Sequence, residues 1–132
     1  ALNAIGPALI MKHVLPRLPR SGKSVFATLS ARVGSIDDNR LGGWYSYRAS
    51  KAALNQLVRT AAVELIRRSP DALCIAVHPG TVATALSAPF AAAGLEVHSP
   101  AAAARHLLAV VDQLTADANG QFFDWRGQPV PW

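Results

Sequence analysis

Residues 44–58 read Trp44-Tyr45-Ser46-Tyr47-Arg48-Ala49-Ser50-Lys51-Ala52-Ala53-Leu54-Asn55-Gln56-Leu57-Val58. Apolar residues at helical spacing continue through Ala61 and Leu65, which predicts one long helix from Trp44 to about Arg68. Ser69-Pro70-Asp71 stops it, because the residue before a proline is driven out of the helical region. A short apolar run lies on each side of this helix. Ser24 to Ser30 precedes it, with Val25, Phe26 and Leu29; Leu73 to Val77 follows it, ended by His78-Pro79-Gly80. Both runs read as buried strands. A strand, a helix and a strand in that order pair in parallel through a right-handed crossover.

The same reading extends in both directions. Leu2, Ile5, Leu9, Ile10 and Val14 predict an amphipathic helix from Leu2 to Leu15, closed by Pro16 and Pro19, with Pro7 expected to bend or break it. Residues 31–43, with Asp37-Asp38-Asn39 and Gly42-Gly43, have loop chemistry. Residues 81–99 predict a long irregular connection with a short helix around Ala88 to Ala93; connections of this length are commonly functional lids. Ser99-Pro100 opens another helix, serine as cap and proline at the first position, running to about Leu114. Gly120 to Trp125 reads as a last strand, and a proline-rich tail ends at Trp132 and is expected to cover that strand. Alternating helices and strands predict an α/β chain: part of a Rossmann-like, doubly wound parallel sheet. Ligands bind such sheets beyond the carboxyl ends of the strands. Ser30 and Ala31, the 42–51 region and Pro79 to Thr84 all fall at that edge.

Composition narrows the alternatives. A chain of 132 residues, 51% apolar, builds one domain with a real core. No apolar run is long enough to span a bilayer, and no basic segment followed by an apolar one opens the chain. The lone Cys74 sits in the apolar run and reads as a small buried hydrophobe, with a cytoplasmic location as the corollary. The net charge of +5 raises nucleic acid as a partner, but the basic residues are scattered and not interleaved with aromatics, so a solvated surface is expected instead. His13, His78, His98 and His106 are far apart with no cysteine cluster, so no metal site is expected. Ser21-Gly22-Lys23-Ser24 is no P-loop: its leading glycine position holds Arg17, and it precedes a strand instead of following one. No Gly-x-Ser-x-Gly elbow argues for a hydrolase. The first residues, Ala1-Leu2-Asn3, lie inside a helical pattern with no cap before it, which reads as the cut edge of something larger.

Tyr47 and Lys51 are the residues with chemistry. Four residues apart on a helix, they share one face. An ammonium beside a phenol favours the tyrosinate and is expected to lower its pKa, which suits proton exchange in alcohol–carbonyl chemistry. Most Tyr-x-x-x-Lys pairs on helices are surface packing, so the pair gains meaning only from its context.

That context resembles the short-chain dehydrogenase/reductase family, over essentially the whole chain and corresponding to the family's C-terminal half. A strand ending in Ser30, a Tyr47-x-x-x-Lys51 helix, and a strand followed by Pro79-Gly80-Thr81-Val82-Ala83-Thr84 carry the likeness. Gly34-Ser35-Ile36, Gly42-Gly43 and Tyr45 through Asn55 are especially similar to its sniffer-like and C-factor-like carbonyl reductase branch. The resemblance implies hydride transfer between NAD or NADP and a small carbonyl or alcohol substrate. Tyr47 would be the acid or base, and Lys51 would assist it and hold the nicotinamide ribose. Asn3 would position a water in a proton relay. Pro79, Gly80, Val82 and Thr84 would pack around the cofactor. It also implies a homodimer or homotetramer, with the Tyr47 helix in a helical bundle between subunits.

The chain departs from the family pattern twice. Counting back from Gly34, the usual second serine falls at Ala31, which cannot hydrogen-bond a carbonyl; Ser30, through a shifted strand end, is the favoured replacement, with Ser35 reaching in or a weakened oxyanion contact as the alternatives. Losing one such donor commonly raises a barrier by about 2–4 kcal/mol. Second, no Gly-x-Gly-x-x-Gly turn and no acidic reader of the adenosine ribose is present. Residues 1–132 therefore read as the carboxyl-terminal portion of a single dinucleotide-binding domain whose nucleotide half is absent, and the choice between NAD and NADP stays open. A non-catalytic signalling or binding module, or an inactive truncated fragment, is the alternative reading.

Overall fold

The computed structural model describes residues 2–85, 87 and 96–132. The helix expected around residues 88–93 lies outside them. Three parallel strands form the main sheet: β1 (Ser24–Leu29), β2 (Ala72–His78) and β5 (Phe122–Asp124), in the order β1-β2-β5. The register runs from Ser24 against Ala72 to Leu29 against Val77, and from Ala76 against Phe122 to His78 against Asp124. The α-helices among the described residues are α1 (Ile5–Val14), α2 (Tyr45–Leu65) and α3 (Pro100–Gln113). Parallel pairing demands a crossover between strands; α2 supplies the first and α3 lies in the second. No helix among the described residues is long and apolar enough to cross a membrane.

Strand β2 explains why the sheet is buried on both faces. Side chains alternate along a strand, so Ala72, Cys74 and Ala76 face one way and Leu73, Ile75 and Val77 the other. The first set packs with Leu54, Val58, Ala62 and Leu65 of α2, with Met11 of α1, and with Phe122 and Val130. The second packs with Val110 of α3, Ala118 and Phe123. The small side chains on the α2 side let that long helix lie close to the sheet. Burial pushes the Cys74 thiol up to about 12, as expected of an inert core cysteine.

Several elements differ from expectation. Pro7 does not break α1: it lies in the first turn, where its missing N–H has no intrahelical partner to lose. Helix α2 ends at Leu65 instead of near Arg68, its last carbonyl groups taken up in turns, including one from the Ser69 N–H to the Leu65 carbonyl (2.9 Å). The connection after β2 contains a parallel pair that the sequence did not reveal, β3 (Thr81–Val82) with β4 (Val97–His98). The Ser99 cap is as read: its hydroxyl accepts from the Ala102 N–H (3.2 Å). The tail does cover the last strand: the Val130 N–H donates to the Phe122 carbonyl, 2.8 Å, and the Trp132 ring stacks on Phe122.

Candidate active site

The carboxyl end of β1, the start of α2 and the turn after β2 hold the residues singled out above. Helix α2 begins at Tyr45, so Tyr47 lies in its first turn and Lys51 one turn later. Two bonds fasten this stretch of helix to the end of β1. Lys51 Nζ donates to the Leu29 carbonyl at 2.9 Å. Ser30 Oγ, 4% exposed, donates to Asn55 Oδ1 at 2.6 Å. Tyr47, Lys51 and Asn55 follow one another at i, i+4 and i+8, so one helix face carries all three. Asn55 is the residue that sequence reading missed, although that spacing was visible in it.

Asn3 reaches the same stretch from the turn before α1. Its Nδ2 donates to Ser50 Oγ (3.1 Å), and Ser50 Oγ donates to the Tyr47 carbonyl (2.8 Å). The asparagine therefore lies beside the Tyr47–Lys51 turn, linked to it through Ser50. Ala31 is buried beside Ser30. Ser35 is buried too, and its Oγ accepts from the Asp38 N–H at 3.0 Å, which assigns it to the loop's own turn.

One electrostatic expectation is reversed. Burial pushes the Tyr47 phenol above its ordinary 10.0, with no charge contribution from Lys51 to offset it. The Lys51 ammonium bonds the Leu29 carbonyl, and burial lowers its own pKa. Tyr47 is 40% exposed, and its hydroxyl has no hydrogen-bond partner among the described residues.

The turn after β2 is built on glycine. Gly80 has φ +75, a conformation L side chains avoid, and a Cβ there would stand 2.9 Å from Trp125 Cδ1 and 3.1 Å from His98 Cδ2. Trp125 in turn packs against His98 and His106, with ring centroids 4.3 and 5.1 Å apart. This aromatic floor comes from three distant segments, and no local pattern announces it. Beyond Gly80, Val82 pairs with His98, and Thr84 closes a turn with Ser87, whose Oγ also bonds the Val82 carbonyl. His78 lies at the root of the turn. Burial, and then the Arg32 charge, lower its pKa, while Asp124 opposes them.

Gly34 fixes the remaining distance. A Cβ on it would lie 2.6 Å from Lys51 Cβ and 2.8 Å from the Lys51 carbonyl carbon. The 3-10 turn Arg32–Gly34 and helix α2 touch backbone to backbone at Lys51.

The family model described as Enoyl-(Acyl carrier protein) reductase matches residues 1–114. The chain is 37% identical over 132 residues to the C-signal of Myxococcus xanthus, covering 99% of this chain and 75% of that protein. The carbonyl reductase Sniffer of D. melanogaster superposes with a TM-score of 0.82 at 28% identity, covering 98% of this chain and 54% of that one. A carbonyl reductase from Pseudomonas aeruginosa, solved in complex with NADP, gives a TM-score of 0.68 at 31% identity, covering 98% and 51%. The chain thus spans three quarters of the first relative and about half the length of the two reductases. It belongs to the short-chain dehydrogenase/reductase family.

Proposed function

We propose that this chain carries the catalytic half of an oxidoreductase that moves a hydride between NAD or NADP and a small carbonyl or alcohol. The observation that carries the reading is the α2 face bearing Tyr47 and Lys51, held to the carboxyl end of β1 by the Lys51–Leu29 and Ser30–Asn55 bonds. The donor set suits a nicotinamide ribose: an ammonium has three donors, Lys51 directs one to Leu29, and two remain for the ribose hydroxyls. The reductases of known structure, one solved with NADP, support the same cofactor class.

When bound, the dinucleotide supplies or receives the hydride. Tyr47 gives its phenolic proton to the alkoxide oxygen as the carbonyl is reduced, and takes it back in the oxidation direction. Lys51, its Leu29 bond kept, would hold the cofactor's ribose with its remaining donors, and its positive charge there would favour the tyrosinate. Asn3, beside Ser50, anchors a water that returns a proton toward Lys51. Ser30 has one hydroxyl proton, given to Asn55 Oδ1 in the free protein, so it would have to turn from Asn55 to donate to the substrate carbonyl. Pro79, Gly80, Val82 and Thr84 would pack around the cofactor. On this reading residues 1–132 are the carboxyl-terminal portion of one dinucleotide-binding domain, working in the cytoplasm as a homodimer or homotetramer.

Assay of the complete gene product with NADPH, NADH and a panel of small aldehydes and ketones tests the proposal; turnover of at least one is expected. A second reading, a signalling or binding module on this fold, draws on the likeness to the C-signal and on Ala31 at the usual serine position. Cofactor binding without turnover on any member of the panel would favour it.

A further inference from the structure

Helix α2 carries Tyr47 in its first turn, yet the usual means of fixing a helix start are missing there. The residue before it, Trp44, is left-handed (φ 50, ψ 38), makes no side-chain cap, and is followed by no acidic residue in the first turn. Trp44 also follows two glycines of positive φ, Gly42 (+64) and Gly43 (+70). A Cβ on either glycine would meet no atom within 4 Å, so their backbone conformation, and not crowding, sets their identity.

The Arg48 side chain runs back under this entry. Its Nε lies 2.9 Å from the Gly43 carbonyl and 3.2 Å from that of Gly42, and its Nη2 lies 2.9 Å from the Gly42 carbonyl. Its Nη1 donates to the Val33 carbonyl at 3.1 Å. The guanidinium also sits over the Trp44 ring, 5.7 Å from the centroid. One planar cation thus gathers three carbonyl groups from two segments, the 3-10 turn after β1 and the loop entering α2. A guanidinium holds its five donors in a rigid fork, whereas an ammonium is a point charge that cannot span these directions.

We propose that Arg48 is a positioning residue for Tyr47: its guanidinium fork fixes the left-handed entry to α2 and so sets where the Tyr47 hydroxyl stands. Lys51, three residues on, ties the helix to the Leu29 carbonyl; Arg48 ties it to Val33 and the glycine pair. The Tyr47 hydroxyl has no hydrogen-bond partner among the described residues, so its placement is inherited from the helix start. The inference rests on the proposed role of Tyr47.

The test compares Arg48→Met, Arg48→Lys, Tyr47→Phe and the Arg48→Met/Tyr47→Phe double variant in the complete gene product, with kcat and the NADPH Kd measured for each. We expect Arg48→Met to lower kcat by at least tenfold with the NADPH Kd within about twofold, and Arg48→Lys to recover only part of the loss. In the Tyr47→Phe background, Arg48→Met should cause no further loss. Wild-type kcat in Arg48→Met, or an undiminished loss added to that of Tyr47→Phe, overturns the inference while leaving Tyr47 in place. If Arg48→Met does not fold, Arg48→Lys decides: it must lower kcat without weakening NADPH binding, and wild-type kcat there overturns the inference. Full activity in Tyr47→Phe is a different result, which defeats the catalytic reading itself.

Discussion

Gly34→Ala probes the distance on which the site depends. Gly34 does not adopt positive φ, so the substitution adds a methyl group and little else. That methyl would lie 2.6 Å from Lys51 Cβ and 2.8 Å from the Lys51 carbonyl carbon. Ordinary contact begins at 3.4 Å, so helix and turn must separate by about 0.8 Å, and the obstacle is partly backbone that cannot rotate away. Overpacking of this kind costs about 1–3 kcal/mol, or roughly 3–12 °C in Tm for a domain of this size. The catalytic consequence is larger. The displaced residue is Lys51, and misplacing a catalytic group by about 1 Å lowers rates by on the order of a hundredfold. Differential scanning fluorimetry and single-turnover carbonyl reduction measure the two effects. Gly6→Ala is the control: it lies in α1 with nothing within 4 Å of its Cβ position, and should be neutral or stabilising by about 0.5–1 kcal/mol. A Gly34→Ala protein as stable and active as wild type would refute the packing argument and the link from Gly34 to the site.

Three other outcomes follow from the same geometry. Ultraviolet titration of the free protein, taken as the difference between wild type and Tyr47→Phe, should give a phenol ionising above 10.0, because burial raises it; ionisation below that value without cofactor would show that the ammonium already acts on it. His78 has a lowered pKa, from burial first and the Arg32 charge second. Its contribution to stability is therefore complete above the unfolded value of 6.5 and is lost as pH falls through the folded value. Urea denaturation of His78→Gln should accordingly show a shallower loss of stability than wild type as pH falls below 6.5, and identical slopes would remove His78 from the account. Ser30→Ala strands the buried Asn55 Oδ1, so it should cost about 1–3 kcal/mol in urea denaturation; a kcat loss beyond that of Ser35→Ala would assign Ser30 to the substrate carbonyl, and equal kcat values would remove it.

The sheet was legible because its signals are local. The run Leu73–Val77 is bounded by Pro70 and Pro79-Gly80, and the apolar spacing from Ala53 to Leu65 has one interpretation. Ser99-Pro100 marks its helix start through a hydroxyl and a missing N–H, both visible in two letters. The pair β3–β4 was not legible, because two residues carry no periodicity and their partners lie on either side of a long connection. The Tyr47–Lys51 turn was readable from spacing, but the direction of the Tyr47 shift was not. That direction comes from burial, which depends on elements distant in sequence. The floor of Trp125, His98 and His106 under Gly80 was hidden for the same reason. Arg48 stood in the sequence only as a letter between Tyr47 and Lys51, since nothing in a sequence shows a side chain folding back onto its own helix start.

The central claim is that Tyr47 carries the proton. Its most direct measurement is single-turnover reduction of a carbonyl substrate by the complete gene product and its Tyr47→Phe variant, with NADPH affinity determined on the same samples. The account predicts NADPH binding within about twofold of wild type and a rate lower by at least a hundredfold, in the range by which positioned acid–base groups accelerate proton transfer, about 10²–10⁴. A Tyr47→Phe protein that binds NADPH and reduces the substrate at the wild-type rate would contradict it.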